Sequence, residues 1–266
     1  MEKLTLKEIQ KIELDILIEF TKFCNENNLR YYLAGGTLLG AIRHKGFIPW
    51  DDDIDVCMPR PDYEKFIKMF RSPNEWIEIK SNRLNNLAVP FTKLVDKRTT
   101  VISKYNTSNV DTNIWIDIFP VDGLPENLNE VKKIYEKCAF YRTVLNLSTA
   151  VLGEGKSTFR KYFKYILKPL AQLYGKQSCI DNMEKLALAN PYEESKYVGS
   201  VTGGLYGIGE RMLKNEFEQD VRVKFEGYTF TTFLCWDSYL KGLYGEYMIL
   251  PPFNERKQHD IEALKN

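Results

Sequence analysis

The sequence predicts a protein of the α+β class, in which helices pack on short strands. Its 266 residues are 44% hydrophobic, which is enough to bury a full core. Some stretches carry an apolar residue at every third or fourth position, as amphipathic helices do. Others carry one at every second position, as strands with one buried face do. Both kinds of element are therefore expected along the chain.

The positions of these patterns predict the order of the elements. Helical spacing marks residues 5–27, 63–70, 129–147, 157–174 and 178–189, with a bend or break expected at Pro169. Strand spacing marks residues 31–34, 53–58, 76–79, 89–95, 114–119 and, around a turn at Glu226-Gly227, 221–231. No repeat or low-complexity linker interrupts them. We expect one structural unit, with a core at 1–146, a helical region at 147–196 and a C-terminal segment at 197–266 that packs back on the core.

Charge and cysteine content exclude several classes of function. Lys plus Arg number 37 against 36 Asp plus Glu, so the net charge of +1 produces no overall field that would attract nucleic acid. The five cysteines lie far apart without a CxxC pair, which is typical of buried thiols in a reducing cytosol. No run approaches the roughly 18 apolar residues of a transmembrane helix, and the N-terminus lacks the apolar segment of a signal peptide. A cytoplasmic protein is expected.

A double glycine is the first candidate for a binding site. Gly35-Gly36 ends the strand pattern at 31–34, and Thr37 is placed to cap a following helix. The N-terminus of a helix attracts anions because its backbone N–H groups are unpaired and its dipole is positive. The order of strand, double glycine and helix therefore predicts a phosphate site, although such a glycine pair alone is more often a plain turn.

An acidic strand follows this turn. Ile54 and Val56 alternate with Asp53 and Asp55, so the two carboxylates are expected to project from one face. The segment does not match a calcium-binding EF-hand, whose loop needs Gly at the sixth position and Glu at the twelfth, where this chain has Val56 and Asp62. Paired carboxylates two residues apart are instead typical of a metal site in phosphate chemistry.

A third acid lies on the predicted strand at 114–119. Asp117 shares one face of that strand with Trp115 and Phe119, while the other face is entirely Ile. A buried carboxylate is costly unless it is paired or bound to a metal. Asp117 is therefore the candidate for a third metal ligand beside Asp53 and Asp55.

Longer stretches around these residues resemble the LicD family of phosphotransferases. The resemblance is carried by residues 33–44 (LAGGTLLGAIRH), 46–56 (GFIPWDDDIDV) and 115–120 (WIDIFP), and continues at 225–227, 243–248 and 250–252. The LicD family belongs to the nucleotidyltransferase superfamily and is related to the fukutin group of ribitol-phosphate transferases. The resemblance implies a nucleotidyltransferase-like core, a mixed β-sheet flanked by helices.

The resemblance also implies roles for the candidate residues. Gly35, Gly36 and Thr37 would hold the donor phosphates, and Asp53, Asp55 and Asp117 would bind Mg²⁺, with Mn²⁺ as the alternative. In-line attack on a diphosphate needs charge neutralised on the attacking and the leaving oxygens, which metal ions provide. Asp117 is also the candidate to accept the proton of the attacking hydroxyl. Basic side chains that are candidates to steady the donor diphosphate are Arg43, His44, Lys45 and Lys93, each with surface exposure as an equal alternative. With His259, His44 makes only two histidines, too few for a zinc site.

The family's best-known reaction indicates the group transferred. It moves phosphocholine from CDP-choline to a sugar hydroxyl of a cell-surface glycan such as teichoic acid, and releases CMP. A quaternary ammonium favours an aromatic cage. Aromatic residues near the motifs that are candidates for such a cage are Trp50, Trp115, Tyr244 and Tyr247, although core packing is the commoner fate of a single aromatic residue.

Several alternatives stay open at this point. Another CDP-alcohol donor would bring ribitol phosphate or phosphoethanolamine by the same chemistry. A glycosyltransferase would use Asp-x-Asp to hold a nucleotide sugar through manganese, and a non-enzymatic module would bind choline-bearing glycans. The acceptor is expected to be a lipid-linked glycan at the inner membrane face. The basic amphipathic stretch 156–176 suggests peripheral membrane contact, although a solvated helix face is its commoner role; its basic residues are Lys156, Arg160, Lys161, Lys164, Lys168 and Lys176.

Overall fold

The computed structural model describes residues 2–72, 74–103, 112–152, 158–256 and 261–266, and it confirms the α+β class. The helices are α1 (Leu6–Glu26), α2 (Gly35–Arg43), α3 (Arg60–Met69), α4 (Leu128–Thr149), α5 (Thr158–Tyr174), α6 (Lys176–Ala187), α7 (Lys214–Phe217) and α8 (Trp236–Tyr244). The strands are β1 (Glu2–Lys3), β2 (Tyr32–Leu33), β3 (Asp55–Pro59), β4 (Ile77–Ser81), β5 (Thr92–Asp96), β6 (Thr99–Ser103), β7 (Ile114–Leu124), β8 (Tyr197–Gly199), β9 (Met212–Leu213), β10 (Asp220–Phe225), β11 (Tyr228–Phe233) and β12 (Ile261–Lys265).

The helices begin and end close to the positions that the spacing predicts. Thr5 caps α1 in a reciprocal arrangement, because its hydroxyl accepts the Glu8 N–H at 3.4 Å while Glu8 accepts the Thr5 N–H at 2.8 Å. Of the bend or break expected at Pro169, the break is not found, since α5 continues through this residue. A helix tolerates an internal proline when the carbonyl four residues earlier can turn to solvent, and Tyr165 at that position is exposed.

The central sheet is mixed and provides the frame of the molecule. Its strands run in the order β2-β3-β7-β5-β4, and β8 and β9 extend it from the far half of β7. The neighbours β3 and β7 are parallel, whereas the other pairs in this sheet are antiparallel. Long β7 therefore lies at the centre, next to both strands that carry candidate site residues.

Three hydrophobic clusters pack against this sheet, the third of which joins β5 and β7 to α1 and the small terminal sheet. The main core combines α1, α2, α3, the sheet, the β10-β11 hairpin and α8, so residues of the C-terminal segment are buried beside the N-terminal ones. A second core joins α4 and α6 to the end of β7. The terminal strands β1 and β12 form a separate small sheet with the internal strand β6, in the order β1-β12-β6. The sequence patterns do not predict this sheet.

All five thiols are buried and free. Within the described ranges, no helix combines the length and the apolar character needed to cross a bilayer.

Candidate active site

The register of three neighbouring strands places three candidate residues in one row. Asp55 on β3 lies opposite Asp117 on β7, and Asp117 lies opposite Lys93 on β5. Residues directly opposite each other on paired strands project from the same face. All three line a cavity of about 520 Å³, and we call Asp55, Asp117 and Lys93 the sheet wall of this cavity.

Two further aspartates reach the cavity from the segment that enters β3. Asp51 and Asp53 line it together with Asp55, while the intervening Asp52 is buried outside the lining. Asp53 precedes the strand rather than lying on it, because β3 begins at Asp55. The alternation that selects Asp53 and Asp55 thus extends one step further, to Asp51, which the sequence analysis missed.

The double glycine leaves room for these carboxylates. Gly35 has a φ of +51°, and a Cβ atom at that position would run into Asp55 Oδ2. A Cβ atom at Gly36 would lie 2.8 Å from Asp51 Oδ2. Since the glycines form the start of α2, the carboxylates come directly against the N-terminus of a helix, where its dipole favours negative charge.

Thr37 does not cap α2, and this prediction is wrong. The capping residue is Ala34, three residues before Thr37, and the helix begins at Gly35. Ala34 is extended, and its carbonyl accepts the Leu38 N–H at 2.9 Å. The Thr37 hydroxyl accepts the backbone N–H of Asp55 at 2.8 Å instead. Thr37 therefore fixes the backbone of the acidic strand against the helix.

The sheet wall is electrically crowded. Burial raises the pKa of Asp55 well above its usual range, and the charges of Asp53, Asp117 and Asp51 raise it further, while Lys93 opposes them. The ammonium of Lys93 lies 3.0 Å from Asp117 Oδ1. A cation close to these carboxylates relieves their mutual repulsion.

The chemistry of the donor set fits a divalent cation. Carboxylate oxygens are the ligands that Mg²⁺ and Mn²⁺ prefer. In the part of the chain that the structure describes, no three His, Cys, Asp or Glu side chains form a ready-made metal-binding group, and the Lys93 ammonium is the cation beside Asp117. The residues thus match the chemistry of a metal site, with side-chain positions that would have to adjust around the ion.

The basic residues at the end of α2 lie away from the cavity. The nine residues of this helix separate its ends by about 13 Å, and it is the N-terminal end that faces the aspartates. Arg43 donates to the Tyr247 carbonyl at 2.6 Å and to His44 Nε2 at 2.9 Å, and Lys45 donates to the Ile42 carbonyl at 3.1 Å. The structure does not bring these three to the site, whereas it does bring Lys93. His259 lies outside the described residues.

The four aromatic residues proposed as a choline cage are not brought together. Tyr244 lines the cavity, whereas Trp50, Trp115 and Tyr247 do not. Trp50 packs under the guanidinium of Arg256, which lies 4.7 Å from its ring centroid.

Local partners hold the other two aromatic residues. Trp115 is buried beneath Lys93, whose ammonium is 4.0 Å from the ring centroid, and its Nε1 donates to Asp117 at 3.2 Å. The Tyr247 hydroxyl donates to Asp237 at 2.5 Å. Other aromatic residues line the cavity with Tyr244: Phe91, Phe119, Tyr206 and Tyr239.

Comparison with known proteins places the chain in a family. Residues 28–150 match the family model described as LicD/FKTN/FKRP, nucleotidyltransferase domain. The chain is 34% identical, over 98% of its own length and 98% of the relative's, to the lipopolysaccharide cholinephosphotransferase LicD of Haemophilus influenzae. The chain belongs to the LicD family. An uncharacterised protein of Rickettsia typhi is 32% identical over 27% of the chain and 24% of that protein.

This LicD-family phosphotransferase has a second wall of its cavity, which the sequence analysis missed. Tyr206, Glu210 and Tyr244 line it from the loop between β8 and β9 and from α8, and we call them the C-terminal wall. Glu210 accepts the backbone N–H groups of Leu205 at 3.1 Å and Tyr206 at 3.3 Å, and its burial raises its pKa to about 7. The only signal in the sequence is the glycine-rich run at 203–209 (GGLYGIG), because glycines often mark close approaches of the backbone.

Proposed function

We propose that this LicD-family enzyme transfers phosphocholine from CDP-choline to a sugar hydroxyl of a lipid-linked glycan precursor, teichoic acid or a similar glycan, and releases CMP. The observation that carries the proposal is the row of Asp55, Asp117 and Lys93 in one cavity at the N-terminus of α2. Support for phosphocholine as the transferred group comes from the similarity, along nearly the whole chain, to a protein named as a cholinephosphotransferase.

A metal ion completes this proposal. Asp53, Asp55 and Asp117 would hold Mg²⁺, or Mn²⁺ in its place. When bound, the ion neutralises charge on the donor diphosphate and on the oxygens that attack and leave. The raised pKa of Asp55 supports this assignment, because crowded carboxylates favour a divalent cation among them.

The residues of the chain supply the remaining steps. The N-terminus of α2 at Gly35 and Gly36 favours the donor phosphates through its dipole and its N–H groups. The acceptor hydroxyl oxygen forms a bond to the phosphorus of phosphocholine, and the bond from that phosphorus to the oxygen of CMP breaks. Asp117 takes the hydroxyl proton, and Lys93 places an ammonium beside the negative charge that develops.

Release of CMP tests the proposal directly. The purified protein with CDP-choline, Mg²⁺ and a lipid-linked glycan acceptor should release CMP, and the Asp55→Asn variant should lose at least about 1,000-fold of that rate. Asp181→Asn, which removes an exposed carboxylate on α6 outside the cavity, is the matched control and should keep the rate. Unchanged release by Asp55→Asn would contradict the assignment of the site.

The proposal extends to the membrane on which the acceptor lies. Helix α5 contains four basic residues and no acidic one. It also exposes an apolar stripe, in which Ile166 is 66% and Leu173 is 86% accessible to solvent. Exposed apolar side chains beside positive charge suit the interface of an anionic bilayer better than water. We therefore propose that α5 lies on the anionic inner membrane face.

Vesicle sedimentation tests this contact. The protein should sediment with phosphatidylglycerol vesicles much more than with phosphatidylcholine vesicles, and Leu173→Glu should reduce that binding several-fold. The control is Leu128→Glu, which adds the same charge at an exposed position at the start of α4, about 20 Å along that helix from Tyr141, which stacks on Tyr174 of α5. Equal binding of the two variants would refute the role of α5.

A further inference from the structure

The C-terminal wall contains a buried carboxylate that the transfer chemistry does not use. Glu210 is 3% exposed, yet it lines the same cavity as the aspartates. Its hydrogen bonds with the described residues come from backbone N–H groups and both end on Oε1. The guanidinium of Arg142 donates instead to the Thr202 and Gly204 carbonyls, at 3.1 and 2.8 Å. When it is ionised, a buried carboxylate held in this way has a negative charge that a cationic ligand can neutralise.

Two aromatic rings of the same wall line the cavity together with this carboxylate and the aspartates. The centroids of Tyr206 and Tyr244 are 5.3 Å apart in an edge-on arrangement, and both rings line the cavity. Burial raises the pKa of Tyr206, and the charges of Glu210 and Asp55 raise it further. Tyr206 therefore lies within the electrostatic field of both walls.

Consecutive glycines set the shape of this part of the cavity. A Cβ atom at Gly203 would run into the ring of Phe119, and one at Gly204 would lie 2.9 Å from Glu210 Cγ. The loop can approach both side chains only because neither residue has a side chain of its own. Phe119 and Glu210 are thereby held against the same short stretch of backbone.

We propose that Glu210, Tyr206 and Tyr244 form the subsite for the quaternary ammonium of the transferred alcohol. This inference rests on the proposed function. A quaternary ammonium has no N–H group to donate, so aromatic faces and a nearby carboxylate charge hold it where hydrogen bonds cannot. A neutral polyol can donate a hydroxyl to Glu210 but leaves the negative charge of the carboxylate uncompensated. The subsite therefore selects choline over a neutral alcohol by its positive charge.

A pair of donors that differ only in charge isolates this interaction. The carbon isostere of CDP-choline, CDP-3,3-dimethylbutanol, has the same shape without the positive charge. We expect Glu210→Gln to raise KM for CDP-choline about tenfold or more with a much smaller change in kcat, and to leave KM for the isostere nearly unchanged. Calorimetric titration with phosphocholine and with 3,3-dimethylbutyl phosphate should show the same difference as a binding affinity.

The choice of variants separates charge recognition from folding. Gln at position 210 keeps a carbonyl oxygen that can accept the Leu205 and Tyr206 N–H groups, so the loop should be retained. Glu126→Gln, at an exposed position outside the cavity, is the matched control. As a second test, Tyr206→Leu should weaken the preference for choline over the isostere, and Tyr206→Phe should restore it.

The outcomes distinguish this inference from the proposed function. If the wild-type protein uses CDP-choline and Glu210→Gln changes KM for both donors equally, or for neither, the subsite is refuted and the proposed function stands. If the wild-type protein releases CMP from CDP-ribitol but not from CDP-choline, both are overturned.

Discussion

The two walls of the cavity are built by different kinds of structure. The sheet wall is fixed by backbone pairing, since the register of β3, β7 and β5 alone places Asp55, Asp117 and Lys93 side by side. It lies entirely within residues 28–150, the part that matches the family model. The C-terminal wall comes from a loop and a helix beyond that part, at Tyr206, Glu210 and Tyr244. Paired strands tolerate little local change, whereas side chains on a loop can be replaced without displacing the sheet. On the function and the subsite proposed above, the sheet wall would carry out phosphoryl transfer and the C-terminal wall would select the transferred alcohol.

After the loss of the Asp55 carboxylate itself, the largest effect that the comparison predicts is at the junction of α2 with the sheet wall. Gly35→Ala would put a Cβ atom into Asp55 Oδ2 and force alanine to a φ of +51°. We expect kcat/KM to fall about 100-fold, because displacement of a reacting group by about 1 Å costs this much, and the free energy of unfolding to fall by about 1–2 kcal/mol.

A second glycine separates the strain from the clash. Gly227 in the β10-β11 turn also has a positive φ, of +81°, but a Cβ atom there meets nothing within 4 Å. Gly227→Ala should lower stability by a similar amount, seen in urea unfolding, and keep kcat/KM. If Gly35→Ala and Gly227→Ala keep the same activity, the lack of a side chain at position 35 is not needed to position the Asp55 carboxylate.

A smaller effect is expected when the cation of the sheet wall is removed. Lys93→Met should lower kcat more than about tenfold, because the ammonium near the developing charge is lost. The Mg²⁺ concentration for half-maximal rate should fall, since the ammonium no longer competes for Asp117. Lys80→Met is the control, because Lys80 pairs with Lys93 on the next strand but lies outside the cavity lining. A rise in the Mg²⁺ requirement of Lys93→Met would show that Lys93 supports the metal site.

The smallest expected effect is on the pH dependence of donor preference, which is caused by the C-terminal wall alone. The pKa of Glu210 is raised to about 7, so its carboxylate is charged above pH 7 and neutral below it. The ratio of kcat/KM for CDP-choline to that for the neutral isostere should therefore fall about fivefold from pH 8 to pH 6. Groups around Glu210 do not titrate in this range, because burial raises the pKa values of Cys57, Tyr135, Tyr206 and Tyr239, and Arg142 keeps its charge.

The variant Glu210→Gln serves as the control for this profile. Effects of pH on the diphosphate chemistry that the two donors share cancel in the ratio, and any effect of the aspartate charges on the quaternary ammonium is retained in Glu210→Gln. The ratio should be flat with pH in Glu210→Gln. A wild-type ratio that is equally flat would mean that the Glu210 charge does not contact the donor.

The sheet wall could be predicted from the sequence because its signals are local. Asp55 and Asp117 interrupt short apolar strands, and a carboxylate in such a strand needs a reason to be there. The pairing of β3 with β7 then brings Asp55 and Asp117 next to each other, although they are far apart in the sequence. Asp51 was missed although it continues the same two-residue spacing.

The C-terminal wall could not be predicted, because long-range packing decides it. Glu210 lies in a loop without periodicity, and its burial depends on contacts with α4 and α8. The positions of three aromatic residues could not be predicted either. Trp50, Trp115 and Tyr247 contact other side chains outside the cavity lining, and their spacing in the sequence does not indicate these contacts. The small sheet of β1, β12 and β6 was missed for a related reason, since it joins strands from distant parts of the chain.

A competition between donors tests the central claim most directly. Wild-type protein would be mixed with equal amounts of CDP-choline and CDP-ribitol, Mg²⁺ and a lipid-linked glycan acceptor, and both donors followed by phosphorus NMR. We predict that CDP-choline is consumed, that CMP appears at the same rate, and that a glycan phosphodiester forms. Consumption of CDP-ribitol in preference, or of neither donor, would contradict the account.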